Sequence, residues 1–190
     1  DQNVVVMHDD TVDRTTNGSG RVKDMTFEEL QQLDAGQGEK IPSLEEVLEV
    51  FGGKFLINIE LSNYTSFFNS LPIEVAKLVQ AHNLVDSIMI SSFNPFNLAR
   101  FRRRLPQVDL GLITLPKKAK HWMYRFFQYD AIHPEYQDVD QVLVAATHAQ
   151  NKQINVWEVD EPDEIRRLVA LKVDGIITND PQRTREVLES

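Results

Sequence analysis

Hydrophobic and polar positions alternate most clearly in residues 55–61. Three alternate residues there are apolar, namely Ile57, Ile59 and Leu61, and the polar Glu60 falls on the opposite side. Because successive side chains of a strand point to opposite faces, the run predicts a strand with one apolar and one polar face. This suits a barrel strand whose polar residues approach the open end of the barrel, and an edge strand with one solvated face is the alternative.

The rest of the chain alternates between short apolar runs and helical patterns. Five more strands are predicted, at 87–91, 109–113, 130–133, 153–159 and 174–178. Helices are predicted at 71–82, 94–105, about 118–127, along the stripe of Val139, Val142, Leu143 and Ala146, at 162–171, and after Asp180. Capping-box spacings at Thr26 and Ser43 open two earlier helices, to about Leu33 and Phe51. Six strand–helix units in succession predict parallel strands joined by helical crossovers.

Six units are too few to close an eight-stranded barrel. The pattern therefore leaves two architectures open: an open doubly wound sheet, or a barrel whose first two strands precede Asp1. No glycine-rich phosphate loop follows any predicted strand, and the sequence has no HExxH motif and no nucleophile elbow.

Length and composition favour one globular domain of 190 residues with 42% hydrophobic and 26% charged residues. A net charge of −9 argues against a nucleic-acid partner or an anionic-membrane partner held by charge alone. The chain has no cysteine, so thiolate metal sites are excluded. No apolar run reaches the roughly 18 residues of a membrane span.

A candidate site follows the apolar run at residues 4–7, where the sequence changes to His8 and Asp9 and then to a turn-rich loop with Arg14. Strand ends that stop at titratable groups are where α/β proteins place their chemistry. An edge strand ending in a polar turn is the alternative. The chain opens with Asp1 inside an apparent hairpin, so we expect a trimmed or incomplete N-terminus.

Six short motifs, in order along the chain, resemble those of the glycerophosphodiester phosphodiesterase family. They are residues 1–20 (like "DG-x-P-V-V-x-HD…R-T-T-x-G-x-G"), 41–47, 58–61, 91–94, 156–160 (like "V-W-T-V-N") and 174–181 (like "D-G-I-I-T-D-x-P"). Each motif is weak alone. Together they cover nearly the whole chain and form a specific signal.

The resemblance implies an α/β fold, the (β/α)8 TIM-type barrel of the PLC-like phosphodiesterases. The six predicted strands would be strands three to eight, and the first two would be absent from this chain. The whole chain would be one domain, and residues from about 10 to 52 would resemble the cap insertion of the family. A fragment with two open sheet edges would be inactive alone and would aggregate or pair with another copy.

The resemblance also implies a reaction: hydrolysis of glycerophosphodiesters to sn-glycerol 3-phosphate and an alcohol, with histidines as general acid and base and a divalent cation, Ca²⁺ or Mg²⁺. His8 resembles the second catalytic histidine and Glu60 a metal-binding carboxylate. Trp157 and Phe93 resemble the apolar walls at the glycerol end of the substrate. Asp9 and Arg14 belong to the motif, where support of the loop is an equal alternative to a role in the site.

The chain departs from the family pattern at three places. Ser62 occupies the position where the family commonly has a lysine facing the phosphate, and it is a candidate substrate contact. Glu158 and Asp160 replace the Thr and Asn of "W-T-V-N", and strand alternation predicts packing or capping roles for them. The first catalytic histidine and a Glu-x-Asp pair would precede Asp1.

These departures keep two rival functions open: a lysophospholipase D or sphingomyelinase D activity on the same architecture, and a non-catalytic barrel with a binding or structural role. We expect a small-molecule substrate, no transmembrane segment, possible self-association and a cytoplasmic location, with a periplasmic or secreted one still open.

Two further groups are assigned from the sequence. His133 ends a short predicted strand and either lines the mouth of the barrel or belongs to a structural turn. Aromatic residues follow the basic run at 117–120, and for them core packing is expected, with contact to a membrane or a lipid substrate as the alternative; they are Trp122, Tyr124, Phe126 and Phe127.

Overall fold

The computed structural model describes residues 3–62, 69–117 and 122–190, and for Trp122 and Met123 the backbone alone. Two compact units make up the chain. The first contains residues 1–89 and 100–108, and the second contains residues 90–99 and 109–190.

Six strands and seven α-helices lie in the described part of the chain. The strands are β1 (Ile57–Glu60), β2 (Ile88–Ser92), β3 (Asp109–Ile113), β4 (Ala131–His133), β5 (Gln153–Val156) and β6 (Gly175–Ile176). The helices are α1 (Phe27–Leu30), α2 (Leu44–Phe51), α3 (Leu71–Ala81), α4 (Pro95–Arg102), α5 (Gln141–His148), α6 (Pro162–Leu171) and α7 (Pro181–Glu189). Three short 3-10 helices are also present, at Val22–Asp24, Trp122–Phe126 and Tyr136–Asp138. All six strands predicted between residues 55 and 178 are found, although β1, β5 and β6 are shorter than expected.

The strands form one sheet in their sequence order, β1 to β6. Parallel pairing is observed from β3 through β6, with Ile113 beside His133 and Asn155 beside Gly175. This order confirms the prediction of parallel strands joined by helical crossovers, since neighbouring parallel strands need a connection of this kind.

Capping chemistry fixes the helix starts in the first unit. Thr26 and Ser43 each accept a hydrogen bond from the backbone N–H three residues on, and Glu29 and Glu46 complete both capping boxes. Helix α1 ends at Leu30, earlier than predicted, because the chain turns there to bring Gln31 onto the carbonyl of Ile41. A small core of Val12, Leu30 and Ile41 lies under this loop-rich region.

The predicted strand at residues 4–7 is not a strand. It forms an isolated antiparallel bridge between Val5 and Ser43, with hydrogen bonds from Val6 N to Pro42 O and from Leu44 N to Val4 O. Pairing stops there because Pro42 has no N–H to donate and Ser43 already begins a helix.

The second unit packs its helices against one face of the sheet. Ile132, Ile154 and Val156 of the strands share a core with Leu143 of α5 and Leu168 of α6.

The predicted stripe of α5 is partly wrong. Val142 is 68% exposed, and the buried residues of the helix are Leu143, Val144 and Thr147. The reason is that Asp140 caps the helix, so Val139 lies before it and does not set its face.

Candidate active site

His8, Asp9 and Arg14 form a connected group in the first unit. The imidazole Nδ1 of His8 lies 2.7 Å from Asp9 Oδ1. Arg14 donates to the same carboxylate through Nε, 2.7 Å from Oδ2, and through Nη2, 2.8 Å from Oδ1. This fork-shaped contact fixes the plane of the Asp9 carboxylate, which in turn orients the imidazole.

The charges in this group favour one protonation state. Hydrogen bonds from Arg14 and then from His8 hold the pKa of Asp9 well below its usual range. An ionised Asp9 accepts a hydrogen bond from the Nδ1–H group of His8. Nε2 is therefore the ring nitrogen left to exchange a proton with a ligand. The His8 side chain is 86% exposed, which gives a ligand access to it.

Glu60 and Ser62 lie at the end of β1, in the same unit. Burial alternates along the strand, with Ile57 and Ile59 half-buried and Asn58 and Glu60 exposed, as the alternation of the sequence predicts. Leu61 is buried and Ser62 is half-buried.

Glu60 belongs to no group of metal ligands in the described residues. Residues 3–62, 69–117 and 122–190 contain no cluster of three His, Asp or Glu side chains placed to share an ion. Hard cations take six to eight oxygen ligands in the case of Ca²⁺ and near-octahedral ligation in the case of Mg²⁺. The described residues therefore do not by themselves fit such a site.

Phe93 and Trp157 meet in the second unit. Their ring centroids are 5.8 Å apart with the planes at 78°, an edge-to-face contact. Phe93 follows β2 and Trp157 follows β5, so two separate strand ends contribute to one aromatic wall.

The backbone and the ring of Trp157 are held by the end of β4. Its N–H donates to Pro134 O at 3.0 Å, and its carbonyl accepts from Tyr136 N at 2.8 Å. The indole Nε1 donates to the backbone carbonyl of His133 at 2.8 Å. Three hydrogen bonds and one ring contact thus define the orientation of this side chain.

His133 itself is buried, with 1% of its surface exposed. Its Nε2 lies 3.1 Å from Nδ2 of Asn155 on the neighbouring strand β5. The ring occupies the space over Gly111 of β3, where a Cβ would overlap it, and Gly175 of β6 leaves room for Asn155 in the same way. Burial lowers the pKa of His133 to about 4, so the imidazole is neutral near pH 7.

The contact between His133 and Asn155 decides between the two positions that the sequence left open for His133. The residue lies on the sheet, not in a surface turn, and its backbone carbonyl accepts the hydrogen bond of the Trp157 indole. Sequence reasoning missed Asn155 as its partner. The signal was the pair of strand glycines, Gly111 and Gly175, because a glycine inside a strand marks a close approach of another group.

Glu158 and Asp160 connect the loop after β5 to the loop after β6. Asp160 accepts hydrogen bonds from Thr178 Oγ1 at 2.7 Å and from Asn179 N and Nδ2, both at 2.8 Å. Asn179 Nδ2 also donates to Glu158. These donors lower the pKa of Asp160, and the contacts agree with the structural roles predicted for both acids.

The aromatic residues after the basic run are not uniformly core residues. Tyr124 and Phe127 are half-buried, but Phe126 is 67% exposed, so the expectation of core packing is wrong for Phe126. Tyr124 and Phe126 lie two residues apart in a 3-10 helix of three residues per turn, so their rings point in different directions.

Comparison with solved structures identifies the fold. The chain is similar to a phosphodiesterase from Oleispira antarctica, solved in complex with the product sn-glycerol-3-phosphate, with a TM-score of 0.87 and 24% identity over 98% of this chain and 79% of that one. The match confirms the predicted fold class, a TIM-type α/β barrel to which this chain contributes six strands.

Sequence comparison identifies the family. The chain is 36% identical to the glycerophosphodiester phosphodiesterase of Caldanaerobacter subterraneus over 96% of this chain and 79% of the relative. It is 32% identical to that of Bacillus altitudinis over 100% of this chain and 82% of the relative. Residues 1–183 match the model of the glycerophosphoryl diester phosphodiesterase family, and the protein belongs to this family.

Proposed function

We propose that this protein hydrolyses glycerophosphodiesters to sn-glycerol 3-phosphate and an alcohol, with His8 as a proton-transfer group. Relatives at 36% and 32% identity are glycerophosphodiester phosphodiesterases, and the similar Oleispira phosphodiesterase was solved with sn-glycerol-3-phosphate bound. The observation that carries the proposal is the exposed His8 imidazole oriented by an ionised Asp9.

His8 acts at Nε2 in this proposal. Hydrolysis breaks one P–O bond of the diester while water supplies the new oxygen on phosphorus, and the departing alkoxide must gain a proton. The protonated imidazole donates that proton from Nε2, and the neutral ring is then reprotonated by the proton that the attacking water releases. Asp9 keeps the proton of the neutral ring on Nδ1, and Arg14 keeps Asp9 ionised.

The aromatic wall of Phe93 and Trp157 provides the apolar surface for the carbon skeleton of the glycerol end. Its role is positioning, since neither ring can exchange a proton in this reaction. Ser62 offers a hydroxyl where the family pattern has a lysine, so a hydrogen bond from Ser62 takes the place of a full positive charge toward the phosphate.

A divalent cation, Ca²⁺ or Mg²⁺, is part of the proposal through the family resemblance alone. When bound, such an ion neutralises the phosphate and polarises its P–O bonds. Glu60 is the candidate ligand of this chain, and the described residues alone do not complete a site for the ion.

A second candidate activity is the hydrolysis of lysophospholipids to release the alcohol headgroup. It is favoured by exposed apolar side chains after two neighbouring strands, since Phe96 after β2 is 47% exposed and Leu115 after β3 is 56% exposed. Such surfaces suit a substrate that carries an acyl chain.

One assay distinguishes these activities. The protein, purified in a form that contains all eight strands of the family barrel, is given glycerophosphocholine or lysophosphatidylcholine with Ca²⁺, Mg²⁺ or a chelator. Released glycerol 3-phosphate and choline are measured separately. We expect glycerol 3-phosphate from glycerophosphocholine. Choline release from lysophosphatidylcholine in its place would favour the second activity, and no turnover of either diester with any ion would contradict the proposal.

Among the described residues, the helices are all too short or too polar to cross a membrane. The sequence-based expectations of self-association and of a cytoplasmic location stay predictions.

A further inference from the structure

Exposed apolar side chains gather at one place in the second unit, which we call the rim surface. It consists of Phe96, Leu115, Lys117, Arg125 and Phe126, all exposed to solvent. We propose that the rim surface docks the protein onto a lipid bilayer that contains anionic phospholipid.

The members of the rim surface are tied to one another. Phe96 meets Phe127, the neighbour of Phe126, edge to face with ring centroids 5.3 Å apart. The Arg125 guanidinium lies 5.1 Å from the centroid of the Phe126 ring. The backbone N–H of Leu115 donates a hydrogen bond to the hydroxyl oxygen of Tyr124. Phe96 and Leu115 thus both contact the segment 124–127, which carries Arg125 and Phe126, so the exposed apolar side chains lie together and are not scattered.

The charge pattern indicates the kind of partner. The whole chain has 20 Lys and Arg against 29 Asp and Glu. Residues 110–129 nevertheless contain four Lys or Arg and no acidic residue. A local cationic surface beside exposed aromatic rings favours an anionic membrane, because basic side chains attract the headgroups while apolar ones enter the headgroup region.

The position of the rim surface is suited to a lipid-derived substrate. Phe96 and Phe93 belong to the same segment after β2, and Phe93 contacts Trp157. Docking through the rim would bring the aromatic wall close to the bilayer. The docking inference itself does not depend on hydrolysis, and its test measures binding without turnover.

The first test is the binding of purified protein to sedimenting vesicles of phosphatidylcholine, with or without one-third phosphatidylglycerol. We expect binding to the anionic vesicles that weakens with salt. Phe126→Ser should lower the partition coefficient roughly tenfold, and Lys117→Gln should lower it about fivefold. Val142→Ser is the matched control, because Val142 is 68% exposed against 67% for Phe126, and Lys40→Gln controls for charge; neither should change binding.

A second test uses the absence of cysteine from the chain. A single cysteine placed by Phe126→Cys or Val142→Cys is labelled with an environment-sensitive fluorophore. Anionic vesicles should shift the emission to the blue at position 126 and leave it unchanged at position 142.

Three outcomes would overturn the docking proposal. The first is the absence of binding to anionic vesicles. The second is an equal loss of binding in the Phe126→Ser and Val142→Ser variants. The third is a fluorophore whose emission does not shift with vesicles at either position. Capture of an acidic protein by the rim surface without any vesicle binding would assign the surface to a different partner and would also overturn it.

Discussion

The indole Nε1 of Trp157 donates a hydrogen bond of 2.8 Å to the backbone carbonyl oxygen of His133. Trp157 belongs to the aromatic wall and follows β5. It is thus held by the end of β4, the strand beside β5. The buried His133 ring, packed between Gly111 and Asn155, fixes that strand end. We therefore expect His133 to act as a positioning residue through Trp157.

Gly111→Ala tests this support. The added Cβ would overlap the His133 ring, so we expect a loss of about 1–3 kcal/mol in the free energy of unfolding, as overpacked cores show. Any disturbance of Trp157 should raise KM for the diester more than it lowers kcat. Urea denaturation and steady-state kinetics provide the two measurements.

The control for this variant is a double-mutant cycle with His133→Ala. Removal of the ring gives the new Cβ room, so Gly111→Ala should cost less in that background than in the wild type. Equal costs in both backgrounds would show that the strain lies elsewhere.

The pH dependence of stability should carry the signature of His133. Its pKa is about 4 in the folded protein and about 6.5 in an unfolded chain. The unfolded state therefore binds the proton first, and the stabilisation is fully present above about pH 6.5 and is lost as the pH falls toward 4. The difference corresponds to about 3 kcal/mol.

Urea denaturation at several pH values between 4 and 7.5 measures this contribution. In His133→Gln, the fall in the free energy of unfolding between pH 6.5 and pH 4 should be smaller by this contribution. His148→Gln is the control, since the His148 side chain is 39% exposed and bonds Asp174 at the surface. If the two variants show the same slope as the wild type, His133 is not held neutral by burial.

Asp9→Asn should lower kcat because the amide no longer holds the proton on Nδ1 of His8 and no longer pairs with Arg14. We expect a loss of roughly tenfold to hundredfold, with the melting temperature little changed. Asp10→Asn is the matched control, since Asp10 is the adjacent exposed carboxylate and lies 3.9 Å from Arg21. Equal effects of the two substitutions would argue against a specific role for Asp9.

Glu60→Gln tests the proposed cation ligand. If Glu60 binds the ion, the variant should need far higher Ca²⁺ or Mg²⁺ concentrations for the same rate or lose the activity. The exposed Glu49 of α2, changed to Gln, should leave the metal titration unchanged. A Glu60→Gln enzyme with the metal titration of the wild type would remove Glu60 from the site.

Local chemistry made much of this fold predictable. Short stretches of sequence are enough to predict the capping boxes at Thr26 and Ser43 and the alternating burial around Glu60. The structure confirms these predictions. Helix α6 occupies the predicted residues because its proline start and its apolar periodicity agree.

The features that were missed depend on contacts between distant segments. The pairing of His133 with Asn155 depends on the register between β4 and β5, which neither strand reveals alone. The short bridge at Val5 depends on Ser43, distant in sequence, lying opposite it. The exposure of Phe126 depends on packing around the 3-10 helix at Trp122–Phe126. The helix predicted at about 118–127 lies partly outside the described residues.

The most direct test of the central claim is the turnover of His8→Ala on glycerophosphocholine, measured beside its thermal unfolding. We predict a fall in kcat of roughly 10²–10⁴ with an unchanged melting temperature, because the side chain is 86% exposed and supports proton transfer, not packing. His82→Ala, a histidine on another part of the first unit, should retain full turnover. A His8→Ala enzyme with wild-type kcat, or one that loses activity only because it unfolds, would contradict the assignment of His8.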